Sequence, residues 1–337
     1  MLNAAIKIDD LENNKTLSKE ILTALYEQKL LKVFVPDTLG GLGKSLIDGL
    51  KIFRQTGQLD GNIGWAVTIG SGGNMFLPLF QQHVGEMYFA PENAVISGSG
   101  KPDGTARKVA GGYIISGRWQ YCSGADYGTT FTMNTVNEEN GEIVTCSVKR
   151  ADVTIIQDWQ AVGLKATASH TIQLENVFVQ DSETFQFDRI QNDYNLPIHS
   201  FPFLTFSESS FFSLVIGMAH NVLMKQQQAL SEKFNEEHSR YQIVSEKIQQ
   251  AQMKVDQIEA AFDAKVAILW QQHTQEQIDE QLMNDFSQFC QTASSDLLSE
   301  LQLLMRYFGM EAVLETSELS YSWRNFSTAS QHVFLTP

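Results

Sequence analysis

The spacing of apolar residues in the first part of the chain predicts short helices joined by frequent turns. Residues 18–32 carry apolar side chains at helical intervals, and Pro36 and the glycines behind it end that element. Ser45 followed by Asp48 is typical of a helix N-terminus. Residues 61–74 are small and apolar, which predicts a buried helix packed closely against its neighbours.

Residues 93–190 change to short runs rich in β-branched and aromatic side chains. Gly111-Gly112 and Asn140-Gly141 mark turns between these runs, and the second is a strong hairpin signal. The runs are Val95–Ser97, Tyr113–Cys122, Thr129–Val136, Ile143–Val148, Val153–Gln157 and Thr171–Val179. They predict a small antiparallel sheet of about six strands.

The last part of the chain predicts long helices. Of the 23 glycines only Gly309 lies beyond Gly217, and no proline lies between Pro202 and Pro337. A seam of apolar residues at steps of three and four is typical of an antiparallel bundle or a coiled coil. Its members are Val244, Ile248, Ala251, Val255, Ile258, Phe262, Val266 and Leu269.

The order of these elements predicts an α+β fold with three domains. An N-terminal helical domain covers residues 1–92, a central antiparallel β-domain covers residues 93–190, and a C-terminal helical bundle covers residues 191–337.

Composition excludes several classes of function. A net charge of −15 argues against a general nucleic-acid binder, because such binding depends on Lys and Arg at phosphates. No run approaches the roughly 20 apolar residues of a membrane span, and the N-terminus lacks the pattern of a secretory signal. The three scattered cysteines favour reduced thiols and a cytoplasmic location. No spacing typical of metal ligands occurs, so we expect no metal site.

Four segments carry a resemblance to a known family. They are Val35-Pro36 with the glycines 40–43, Gly112 to Gly124, Gly163 to Val179, and Phe308-Gly309-Met310 followed by Trp323-Arg324-Asn325. With them the sequence resembles the acyl-CoA dehydrogenase superfamily over nearly its whole length, which implies an acyl-CoA dehydrogenase-like fold.

The resemblance also implies a flavin site beside the β-domain. An aromatic flank and a hydroxyl near flavin N5 match Tyr121, Cys122 and Ser123. Ser123 could instead be only a turn residue. The remaining implied cofactor contacts are Thr167 and Ser169 on a second loop, and Ser97 and Ser99 in a region where the family motif is not preserved.

Two departures from the dehydrogenase pattern affect the predicted activity. Dehydrogenases of the family need a catalytic Glu, and no Glu or Asp lies after Glu318. Residues 232–236 lack the arginine motif with which the family binds FAD pyrophosphate. The cofactor is therefore expected to be a flavin, either FMN or FAD.

The segment from Arg324 to His332, together with residues 102–124, is similar to two-component flavin-dependent monooxygenases of the 4-hydroxyphenylacetate hydroxylase and dibenzothiophene monooxygenase type. That branch implies reduced flavin from a separate flavin reductase, O2, a small organic substrate and a homotetramer. His332 would serve as catalytic base or proton donor and Ser123 would stabilise the flavin at N5. The alternative for His332 is an exposed, frayed tail residue.

Two other functions stay open at this stage. The first is an acyl-CoA dehydrogenase-like enzyme whose catalytic base lies in the helical bundle. The second is a non-catalytic relative that has lost its flavin chemistry, since several family motifs are eroded.

Overall fold

The computed structural model describes residue 2, residues 6–235 and residues 237–336. The chain packs into two compact units, each assembled from separate stretches of sequence. The first unit comprises Met1–Ser45, Ile69–Gln160 and Lys165–Ser200, and the second comprises Leu46–Thr68, Ala161–Leu164 and Phe201–Pro337. The predicted domain boundaries at residues 92 and 190 stay predictions.

A seven-stranded sheet forms the centre of the first unit, with the order β5-β6-β2-β1-β3-β4-β7. The strands are β1 (Ile96–Val109), β2 (Gly112–Cys122), β3 (Thr130–Asn137), β4 (Ile143–Lys149), β5 (Thr154–Ile156), β6 (His170–Gln180) and β7 (Thr184–Phe185). All neighbouring pairs are antiparallel except β1 and β3, which are parallel.

Both hairpin turns were predicted correctly from the sequence, whereas the crossover connection between β2 and β3 was not predicted. Asn140-Gly141 turns β3 into its antiparallel neighbour β4, and Gly141 has φ +73°. Gly111 has φ +78° between β1 and β2. The prediction that β1 ends at Ser97 is too short, because β1 continues to Val109 and separates β2 from β3. The segment between β2 and β3 therefore crosses over β1, which makes β1 and β3 parallel.

Short helices accompany this sheet within the first unit. They are α1 (Ile8–Asn14), α2 (Lys19–Glu27) and α5 (Gln82–Phe89). The Ser18 hydroxyl accepts a hydrogen bond from the main-chain N–H of Ile21 at 3.3 Å, so Ser18 caps α2. Helix α2 ends at Glu27, five residues before the predicted end, and Lys29 has φ +56° in the turns that follow.

Long helices form most of the second unit. Helix α3 (Leu46–Leu59) begins directly after Ser45, and α4 (Gly61–Gly72) crosses the boundary of the units after Thr68. The bundle helices are α6 (Phe203–Lys233), α7 (Ser239–Thr274), α8 (Glu280–Met305) and α9 (Glu318–Ala329). The seam predicted on α7 is buried inside the chain except for Ile258, which is half-buried.

Helices α3 and α6 pack backbone against backbone. A Cβ atom on Gly217 of α6 would lie 2.0 Å from the carbonyl oxygen of Arg54, and one on Gly57 would lie 2.7 Å from that of Leu214. Only glycine permits this approach. Among the described helices none is both long and apolar enough to cross a lipid bilayer.

Candidate flavin site and the His332 cluster

The edge where β2 ends and β6 begins brings two predicted site residues together. Cys122 pairs with His170 in this antiparallel ladder. Ser123 and Ser169 each lie one residue outside that pair, so their side chains leave the sheet side by side. Their hydroxyl oxygens lie 2.8 Å apart, and both residues are buried.

Thr167 extends this pair into a chain of three hydroxyls. Its hydroxyl oxygen lies 2.8 Å from that of Ser169. The two loops are also joined through their main chains, because Gly124 donates to the carbonyl of Thr167 at 2.9 Å and Ala125 donates to that of Ala168 at 3.1 Å. The hydroxyl cluster of Ser123, Thr167 and Ser169 is therefore held by main-chain hydrogen bonds on both sides.

Ser97 supports the cluster, whereas Ser99 lies apart from it. The Ser97 hydroxyl donates to the main-chain carbonyl of Ser123 at 2.6 Å. Ser99 is half-buried farther along β1, and its hydroxyl accepts a long hydrogen bond of 3.5 Å from the N–H of Lys101.

Tyr121 and Cys122 differ sharply in environment. Tyr121 has φ +63°, which is strained for a bulky residue, and 62% of it is exposed. Its ring lies edge-on to Trp159 with 6.2 Å between ring centroids. The Cys122 thiol points into the core of the sheet, and burial raises the pKa of the thiol to about 12. Because the thiol faces the core, the predicted cofactor contact of Cys122 would have to be made by its main chain.

His170 orders the loop that carries Trp159. Its Nδ1 accepts hydrogen bonds from the main-chain N–H groups of Asp158 and Trp159, each at 3.1 Å. The main-chain N–H and the hydroxyl of Thr171 donate to the Asp158 carboxylate at 2.8 and 2.6 Å. Burial acts to raise the pKa of Asp158, but these hydrogen bonds lower it overall. Neither Trp159 nor His170 was predicted from the sequence to be a site residue. The available signals were that His170 lies within the matched segment 163–179 and that Trp159 lies just before it.

His332 lies in the second unit within a group of aromatic rings. Its ring stacks on Phe211 with centroids 3.8 Å apart, and it meets Trp65 edge-on at 5.6 Å. Its Nδ1 accepts a long hydrogen bond of 3.5 Å from the N–H of Phe334. Burial lowers the pKa of His332 to about 4. The alternative of a frayed, exposed tail residue is therefore wrong.

A buried polar network holds the helix that precedes His332. The carboxylate of Asp60, at the start of α4, accepts hydrogen bonds from the N–H groups of Asn62 and Ile63 at 2.8 and 3.1 Å. It also accepts one from the hydroxyl of Tyr321 on α9 at 2.7 Å. On the same helix the amide oxygen of Asn325 accepts from the N–H of Leu164 at 2.7 Å.

One group of three potential metal-ligating side chains occurs among the described residues, on α6 and α7. His220, Asp256 and Glu259 bring their ligand atoms within 4.8 Å of one another. His220 Nε2 lies 2.5 Å from the Glu259 carboxylate, which also pairs with the Arg54 guanidinium. The Arg54 guanidinium thus gives the Glu259 carboxylate a positively charged partner within the chain.

Some known proteins match only part of this chain, and others match nearly all of it. Residues 210–337 match the family model described as acyl-CoA dehydrogenase, C-terminal domain. Flavin-dependent monooxygenase, oxygenase subunit HsaA, from Rhodococcus jostii is 25% identical over 64% of this chain and 59% of its own length. Indole-3-acetate monooxygenase from Pseudomonas putida is 25% identical over 64% of this chain and 56% of its own length. The chain thus matches less than two thirds of either relative. A pigment production hydroxylase from a Rhodococcus species is 25% identical over 96% of this chain and 87% of its own length.

Solved structures share the whole fold. The 3-HSA hydroxylase from Rhodococcus sp. RHA1 aligns over 100% of this chain and 90% of its own, with a TM-score of 0.90 and 21% identity. XiaF from Streptomyces, in complex with FADH2 and glycerol, aligns over 99% of this chain and 88% of its own, with a TM-score of 0.87 and 18% identity. KijD3, in complex with FMN and a sugar nucleotide, aligns over 100% of this chain and 87% of its own, with a TM-score of 0.79 and 16% identity.

These matches confirm the predicted α+β fold of helices, central sheet and helical bundle. They also confirm the resemblance of this chain to the acyl-CoA dehydrogenase superfamily and, within it, to flavin-dependent monooxygenases.

Proposed function

We propose that this protein is the oxygenase component of a two-component flavin-dependent monooxygenase. The observation that carries the proposal is the hydroxyl cluster at the edge of β2 and β6, where Ser123 is joined to Ser169, 46 positions away in sequence, and through Ser169 to Thr167. The curated relatives named above are monooxygenases or hydroxylases, and their chemistry inserts oxygen into small organic substrates.

The hydroxyl cluster has the chemistry that a flavin ring requires at one edge. A serine hydroxyl offers one donor and two acceptor positions, so a chain of three hydroxyls can present either to the ring nitrogens. Ser97 fixes the main chain of Ser123, and the exposed ring of Tyr121 offers an apolar flank. When bound, reduced flavin would supply the chemistry that activates O2. Ser123 would hold the flavin in place through its N5 atom.

The proposed cofactor is FMN or FAD, and separate titrations with reduced FMN and reduced FAD would show which of the two the protein binds. The neighbouring structures include one with FADH2 and one with FMN. The stretch where the family carries its pyrophosphate-binding arginine reads Glu232-Lys233-Phe234-Asn235-Glu236 in this chain, and Glu236 lies outside the described residues.

The sequence predicted that His332 is a catalytic base or proton donor, and we propose instead that it donates a hydrogen bond to the substrate. Because its pKa is lowered to about 4, the imidazole is neutral near pH 7. Its Nδ1 accepts from the N–H of Phe334, so the neutral ring carries its proton on Nε2. That N–H can donate to an oxygen atom of the substrate and orient it.

We propose a homotetramer, as the family resemblance implies. The seam on α7 is filled within the chain, but a second stripe on α7 is exposed at helical spacing. Met253 is 57% exposed and Ile268 is 49% exposed, and Ala260 and Ala264 lie exposed between them. A second copy of the chain would bury this stripe. The other proposed partners are a separate flavin reductase and a small organic substrate.

A cytoplasmic location is proposed from the cysteines. Cys122, Cys146 and Cys290 are all free and buried, which suits a reducing environment.

One observation favours the dehydrogenase as second candidate function. Glu208 on α6 is a buried carboxyl group, to which the hydroxyl of Ser287 donates at 2.5 Å. Burial raises the pKa of Glu208. A catalytic base in the helical bundle would have this character. Reduction of oxidised flavin by an acyl-CoA thioester, lost in Glu208→Gln, would support the dehydrogenase and contradict the oxygenase.

The oxygenase is tested by mixing the protein, loaded with reduced flavin under anaerobic conditions, with O2 in a stopped-flow spectrophotometer. We expect the bound flavin to oxidise in at least two resolved phases, unlike free flavin. A time course identical to that of free flavin would contradict the proposal.

A further inference from the structure

Besides the hydrogen bond that its Nδ1 accepts from the main chain of Phe334, the His332 ring is surrounded by aromatic rings. The planes of its ring and of Phe211 differ by only 20°, which defines a stacked pair. Trp65 approaches edge-on with an interplanar angle of 67°, and Phe334 lies tilted at 5.1 Å. Trp65 also contacts Phe211 at 5.3 Å, so the neighbouring rings brace one another.

Phe211 is well placed to fix the imidazole plane. It lies on α6, a helix of 31 residues whose first half is almost entirely buried, and only 6% of Phe211 is exposed. The next residue, Phe212, turns its ring toward Phe262 at 5.4 Å and Phe289 at 6.0 Å. The two adjacent phenylalanines of α6 thus pack against different groups of rings, and of the two only Phe211 contacts His332.

No charged group contacts the His332 ring among the described residues. The nearest acidic group along α6 is Glu208, whose carboxylate is bonded to Ser287. Asp60 at the start of α4 is bonded to Tyr321, and Glu280 and Asp285 on α8 are exposed. Burial is the one cause that lowers the pKa of His332. The aromatic rings provide that burial.

We propose that Phe211 is a positioning residue for His332: the stacked phenyl ring fixes the plane of the imidazole. The stacking fixes the direction of the Nε2–H bond, which the proposed function uses to orient the substrate. This inference rests on the proposed function for its catalytic meaning, whereas the stacking itself can be tested without any flavin.

The test is NMR spectroscopy of the histidine ring signals in the full chain at varied pH. In Phe211→Leu we expect the His332 signals to lose the upfield ring-current shift that a stacked phenyl ring causes. We also expect the pKa of His332 to rise from about 4 toward its ordinary value of 6.5, because a stacked ring no longer shields the imidazole from water. Phe211→Tyr keeps a stacking ring and should retain both properties.

Phe212→Leu is the matched control. It makes the same substitution at the adjacent, fully buried position and should leave the His332 signals unchanged. If Phe211→Leu does not fold, Phe211→Met removes the aromatic ring at nearly the same volume. Unchanged His332 signals in the folded variant would overturn the inference.

Activity then separates this inference from the proposed function. Phe211→Leu should lower substrate oxygenation about tenfold, as we also expect of His332→Gln, with little change in flavin affinity. If the wild-type protein binds no flavin, the proposed function fails, while the NMR result still decides the stacking. If flavin chemistry is present and His332→Gln lowers oxygenation while Phe211→Leu does not, the positioning role is wrong.

Discussion

The hydroxyl oxygens of Ser123 and Ser169 lie 2.8 Å apart although the residues are 46 positions apart in sequence. The two loops that carry them are also bonded through the main chains of Gly124 and Thr167. Such a buried, doubly anchored contact can hold a hydrogen-bonding group in one place. This is the property that a cofactor ring edge requires.

Ser123→Ala should weaken binding of reduced flavin by about fivefold to tenfold. Loss of one hydrogen bond to the ring costs about 1 to 1.4 kcal/mol, which corresponds to this change in affinity. The measurement is an anaerobic fluorescence or absorbance titration. Ser147→Ala is the control, because Ser147 is also buried in the sheet but bonds the carbonyl of Glu183. Equal effects of the two substitutions would contradict a flavin contact at Ser123.

Gly217→Ala should destabilise the protein by about 1 to 3 kcal/mol or more, because its Cβ would overlap the carbonyl of Arg54. Urea unfolding measures the loss. Gly72→Ala in α4 is the matched control, since no atom lies within 4 Å of the added Cβ and alanine favours a helix. Equal stability of the two variants would show that α3 and α6 do not pack at Gly217.

Acid should destabilise the fold as the pH falls from about 6.5 toward about 4. His199 is buried, and burial lowers its pKa from 6.5 to about 4 in the folded state. In that window the unfolded chain binds a proton that the folded chain does not. The free energy of unfolding therefore decreases as the pH is lowered. His199 alone should account for about 2 to 3 kcal/mol at about pH 4.5.

His199→Asn tests this contribution. The asparagine can still accept from the N–H of Leu196, which His199 accepts at 3.0 Å. Urea unfolding near neutral pH and at about pH 4.5 should show a smaller loss of stability in this variant than in the wild type. An identical pH dependence would contradict a lowered pKa at His199.

Ile268→Glu should reduce the native mass of the protein, because a charge in the exposed stripe of α7 would oppose burial against a second copy. The side chain is already 49% exposed in the single chain, so the fold itself should tolerate the charge. Light scattering coupled to size-exclusion chromatography gives the mass, and Gln288→Glu, at an exposed polar position on α8, is the control. A wild-type protein that is monomeric would contradict the proposed tetramer.

Local signals in the sequence were sufficient for much of the fold. Asn140-Gly141 located a hairpin because its turn requires positive φ, and the three-and-four spacing on α7 located seven buried positions correctly. The parallel pairing of β1 with β3 was missed because it depends on where β1 ends. The glycine- and proline-containing residues 98–104 give no strand signal, although β1 runs through them to Val109, just before the predicted turn at Gly111-Gly112.

The candidate site was only partly accessible to sequence reasoning. The family resemblance named Ser123, Thr167 and Ser169, but the contacts among them come from strand pairing at Cys122 and His170. The stacking of Phe211 on His332 joins residues 121 positions apart, and neither residue type nor spacing indicates it.

Binding of reduced flavin tests the central claim most directly. Purified protein is titrated under anaerobic conditions with reduced FMN and, separately, with reduced FAD. The proposed function predicts saturable binding of at least one reduced flavin, weakened in Ser123→Ala and unchanged in Ser147→Ala. Absence of binding of either flavin would contradict both enzyme functions and would support the non-catalytic relative.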